Sequence, residues 1–78
     1  MTVVSQYDPV RLLQPVEADI IDVPPSRIMM PAGSEGVVVH IHGPATRPLA
    51  YEVEFFIETM DAGAIATVEA DLVVRAQR

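Results

Sequence analysis

The chain contains no cysteine, no lysine and no tryptophan. Without cysteine there are no disulfide staples, no thiolate metal sites and no cysteine nucleophile. Without lysine, all positive charge rests on five arginines, set against eleven carboxylates for a net charge of −6. That balance repels phosphate backbones and anionic lipid, so neither nucleic acid nor a membrane surface is an expected partner. No apolar run approaches the length of a membrane span. The opening residues MTVVSQYDPV lack a basic segment followed by a long apolar core, so no signal peptide is expected. The expected location is cytoplasmic.

What is present is apolar. Half of the 78 residues are hydrophobic, which suits folding rather than disorder. The length fits one domain, residues 1–78, with a thin core and a small stability margin. Small domains without staples often gain stability by self-association.

Proline and glycine cluster at Pro24-Pro25, Pro31 to Gly36, Gly43 to Pro48 and Gly63. Short runs rich in valine, isoleucine and aromatics lie between them, the pattern of strands joined by turns. Strands are predicted near Val10–Gln14, Gly36–His42, Leu49–Ile57, Ala64–Val68 and Val73–Ala76. A long connection, Pro15 to Ser34, separates the first two. Its paired prolines exclude a central helix, leaving room for a short helical stretch at Glu17–Asp22. Glu69 to Leu72 reads as one tight 3-10 turn. The expected fold is all-β: a small SH3-like barrel of about five strands, with a long first loop and a 3-10 turn before the last strand.

The stretch Val37-Val38-Val39-His40-Ile41-His42 places two histidines on one face of a strand. A regular hairpin joining the apolar faces sets Ile41 opposite Tyr51, Val39 opposite Val53 and Val37 opposite Phe55. The expected core then holds Val37, Val39, Ile41, Tyr51, Val53, Phe55 and Leu72. The other face sets His40 opposite Glu52, Val38 opposite Glu54 and His42 opposite Ala50, with Glu52 diagonal to His42 and Glu54 diagonal to His40. Two imidazoles and two carboxylates have the chemistry to bind a divalent transition ion. Cross-strand pairs on a wet face account for the same residues more simply, so no metal is assigned.

Elsewhere the chemistry is sparse. Gly33, Gly36, Val38 and Ile41 fit the G-x-x-G-x-V-x-x-I entry to a KOW-type strand, but its neighbours are acidic where nucleic-acid binders carry lysine and arginine. Serines and threonines lack any nucleophile motif. Asp19 and Asp22 would share a side if their segment were helical, and a solvated acidic loop explains them as well. Three large apolar residues stand between prolines in Arg27-Ile28-Met29-Met30-Pro31. Either they plug one end of the fold or they form a partner surface, for which methionine is adaptable.

Arg27 with its flanking prolines, Gly33, Gly36-Val37-Val38, His42-Gly43, Tyr51-Glu52-Val53-Glu54-Phe55, Ala66-Thr67-Val68 and Asp71-Leu72 follow one another in a familiar order. This order resembles the SH3-like barrel at the C-terminus of nitrile hydratase beta subunits. It is similar as well to a family of short, free-standing bacterial proteins with a Y-E-V-E-F strand. The resemblance implies a barrel fold and an accessory or docking habit. It implies no catalysis, because the nitrile hydratase metal belongs to a cysteine-rich motif of the alpha subunit, and the helical part of the beta subunit is also missing here. The expectation is therefore a non-enzymatic interaction module without a cofactor. It would bind a protein partner or itself, with a homodimer favoured, through Arg27, Ile28, Met29 and Met30. The alternatives are a metal-binding protein using the histidine face and a subunit-like partner of a nitrile-hydratase-type enzyme.

Overall fold

A computed structural model describes residues 4–21, 26–44 and 46–76. Seven strands form a single antiparallel sheet: β1 (Pro9–Leu12), β2 (Val16–Ile21), β3 (Ser26–Met30), β4 (Glu35–His42), β5 (Ala50–Ile57), β6 (Ala62–Glu69) and β7 (Val73–Arg75). Their order is β3-β2-β6-β5-β4-β1-β7, so the sheet is open, with β3 and β7 at its edges. The all-β expectation holds. Five of the seven strands overlap those expected from sequence, and a 3-10 turn, Ala70–Leu72, precedes the last strand.

The long first loop needs correction, and with it the strand count. Between Pro15 and Pro31 lie two antiparallel paired strands, β2 and β3, in register from Val16↔Met30 to Ile20↔Ser26. No helix forms at Glu17–Ile21; Asp22 lies outside the described residues. The alternation explains the strand. Ala18 and Ile20 are buried, whereas Glu17, Asp19 and Ile21 are exposed. Ala18 is too small and Ile21 too apolar for that period to stand out in the sequence.

Each strand gives one face to a common core. Val10, Leu12, Ala18, Ile20, Met30, Val38, Tyr51, Val53, Phe55, Ala64, Ala66, Val68 and Val73 are all buried there. No polar or charged residue is buried with them among the described residues.

The β4–β5 register is half as expected. His40↔Glu52, Ile41↔Tyr51 and His42↔Ala50 pair as predicted, but Val38 pairs with Val53 and Val37 with Glu54, because Val39 is an extra, bulged residue. Val38 is therefore fully buried and Val37 is exposed, the reverse of the expectation. Val39, Ile41 and Leu72 are only half-buried.

The bulge is braced from the segment before β1. Tyr7 N donates to Val38 O at 2.6 Å, and Val38 N donates to Asp8 O at 3.0 Å. The Gln6 amide donates to Val39 O at 2.9 Å, giving the bulged carbonyl a partner. Next to it, Gly36 lets β4 cross close over β5. A Cβ there would stand 2.6 Å from Glu54 O and 2.7 Å from Val53 Cγ1. Gly36 thus serves the close packing of the two strands.

Candidate functional site

Strand pairing puts a polar line across the sheet's outer face. In the row Met29–Glu17 on β3 and β2, and the next row Arg27–Asp19, the residues oppose one another in pairs. Arg27 Nη1 donates to Glu17 Oε1 and Arg27 Nε to Asp19 Oδ1, both at 3.0 Å. All three side chains are well exposed, so these pairs fix the arginine's direction more than they stabilise the fold. Glu52 and Thr67 lie further along the same face, and with Glu17, Asp19, Arg27 and Ile65 they line a shallow depression of about 380 Å³.

The histidines end this line. Their rings meet edge to face, with centroids 4.7 Å apart. His42 Nε2 lies 3.2 Å from Glu52 Oε1, an ion pair when the imidazole is protonated, and the Thr67 hydroxyl donates to the same oxygen at 3.3 Å. The carboxylate that meets His42 is thus its diagonal neighbour, as the strand alternation predicts. Glu54 does not join them. The Val39 bulge moves it opposite Val37, so the two-histidine, two-carboxylate cluster does not assemble. Among the described residues, no three histidine or carboxylate side chains are grouped to hold a metal ion. Asp19 is committed to Arg27, and the Asp19–Asp22 pairing falls outside the described residues at Asp22.

The proposed partner segment is strand β3, not a loop. Arg27 and Met29 stand on its outer face and Ile28 and Met30 on its inner face. Met30 is buried, Ile28 packs half-buried against the core, and Met29 is 58 % exposed. One flank of β3 pairs with β2; among the described residues, no strand lies beside the other. The edge character of this segment was missed in the sequence, since it depends on β2 pairing with β6 through Asp19↔Ile65 to Ile21↔Gly63. The signal that could have found it was the alternation of Val16, Ala18 and Ile20 against Glu17 and Asp19.

No protein family, curated protein or solved structure matches the chain. Among the described residues, no helix is long and apolar enough to cross a membrane.

Proposed function

We propose that the protein is a non-enzymatic interaction module that pairs with a second copy of itself along edge strand β3. The observation that carries this reading is the flank of β3 that no strand pairs among the described residues, with Met29 exposed above it and Ile28 half-buried below. Unpaired backbone groups on such an edge accept another strand unless charge, proline or a bulge blocks them. The only charge on β3 is Arg27, and it is drawn inward over β2 by Glu17 and Asp19. In an antiparallel pairing centred on Ile28, Arg27 of one copy faces Met29 of the other, and the two Ile28 side chains meet on the inner face. The contact adds apolar area without setting like charges opposite each other.

The same reading takes the sheet as a relative of SH3-like barrels, opened at β3. Its support is the set of five strands β1, β4, β5, β6 and β7, the long excursion between the first two, and the 3-10 turn before β7. Pairing of β7 with β1 brings the two ends of the described chain together in the same way.

Hydrogen exchange at several protein concentrations tests the pairing. The outward amides of β3 exchange more slowly as concentration rises, while those of central β5 do not change. Exchange of β3 that is independent of concentration rules the pairing out.

A further inference from the structure

The outer face carries a second surface, separate from the β3 edge. Gly63 of β6 lies directly between Ile21 of β2 and Phe56 of β5. Neighbouring strands are about 4.8 Å apart, so Ile21 and Phe56 stand about 10 Å apart with no side chain between them. Both are largely exposed, Ile21 at 56 % and Phe56 at 63 %. A Cβ built on Gly63 would find Ile21 Cδ1 and Glu54 Oε2 each 3.8 Å away. The gap thus has an apolar wall and a carboxylate wall and is one side chain wide. Beyond Phe56 it opens into a depression of about 460 Å³ that includes Val37, Glu54 and Glu58, and among the described residues no arginine lines it.

The fold does not require glycine at this position. Gly63 is not among the glycines with positive φ, and an added Cβ would make only ordinary contacts. Glycine inside a strand weakens it and leaves nothing to pack, and such positions often admit close approach of another group. The gap is therefore a cost to the sheet that the sheet's own geometry does not explain.

We propose that this groove receives an arginine or lysine side chain presented by another protein. The aliphatic stem lies over Gly63 between Ile21 and Phe56, as long cationic side chains lie along apolar surface. The cationic head meets Glu54, with Phe56 beside it for a cation–π contact. A purely apolar side chain would cover the Glu54 carboxylate without pairing it. A second copy of this chain would bring another net charge of −6 to an acidic surface. The cationic partner satisfies both walls.

The test is an NMR titration of the full chain with an acetylated, amidated peptide of alternating arginine and leucine. A peptide with glutamine in place of arginine serves as control. The expected result is shift changes centred on Ile21, Gly63 and Phe56, absent with the control peptide. Gly63→Val fills the gap while favouring strand structure, and Glu54→Gln removes the charge. Each raises Kd by roughly tenfold or more, and Gly63→Val keeps or raises the melting temperature, so lost binding is not lost folding. Binding that survives Gly63→Val within about twofold, shifts centred elsewhere, or no binding at millimolar peptide overturns the proposal.

Discussion

Val53 has no exposed surface and stands at the middle of the central strand, between Val38 and Ala66. Val53→Ala removes two buried methyl groups and costs about 2 kcal/mol, read as a lower urea midpoint with unchanged slope. Gly36→Ala errs in the other direction. Its new methyl meets the Glu54 carbonyl oxygen and two core side chains, and a backbone atom yields little. A loss of about 2 kcal/mol is expected from overpacking, again by urea titration. Tyr51 gives the fold an alkaline limit. Burial pushes its phenol above the ordinary value of 10.0, because the charged form is poorly solvated there. The stability this carries is complete below pH 10, where both states are protonated. It is lost as pH rises from 10 toward the folded value, since the unfolded chain ionises first. Tyr51→Phe flattens this alkaline decline in a melting-temperature series.

At the scale of elements, what was legible in the sequence followed hydrophobic alternation. Tyr51, Val53 and Phe55 alternate without a break against Glu52, Glu54 and Phe56, and β5 is where expected. The four apolar residues from Val37 to Ile41, interrupted only by His40, carry no such mark of which face each belongs to. Three consecutive valines fit two registers equally well. The choice is made by Gln6, Tyr7 and Asp8, some thirty positions away in sequence, whose hydrogen bonds hold the Val39 bulge. A reading limited to the hairpin could therefore place His40 and His42 correctly and still misplace Val37, Val38 and Glu54. Gln6→Ala should leave the pairing in place but speed hydrogen exchange at Tyr7 and Val38, because the bulged carbonyl loses its partner. The segment Arg27 to Met30 was legible as a candidate surface but not as a strand, since its partner β2 shows a faint period. The ion pairs of Arg27 are exposed, so Arg27→Ala changes stability by less than about 1 kcal/mol, measured by thermal melting.

Over the whole molecule, an open sheet with all its buried residues on one side has two ends to account for. The β7 end is three residues long. The β3 end is longer, bears an exposed methionine, and continues the apolar inner face through Ile28 and Met30. Net charge opposes association at a distance, and salt screens that repulsion, so dimer formation should strengthen as ionic strength rises. Light scattering with size exclusion at micromolar concentration tests the β3 edge most directly. The wild type should run at twice the 8.5 kDa chain mass, and Met29→Lys, a charge on the exposed side of the edge, at the mass of one chain with an unchanged circular dichroism spectrum. A wild type that stays at one chain mass, or a Met29→Lys variant that stays dimeric, contradicts pairing through β3.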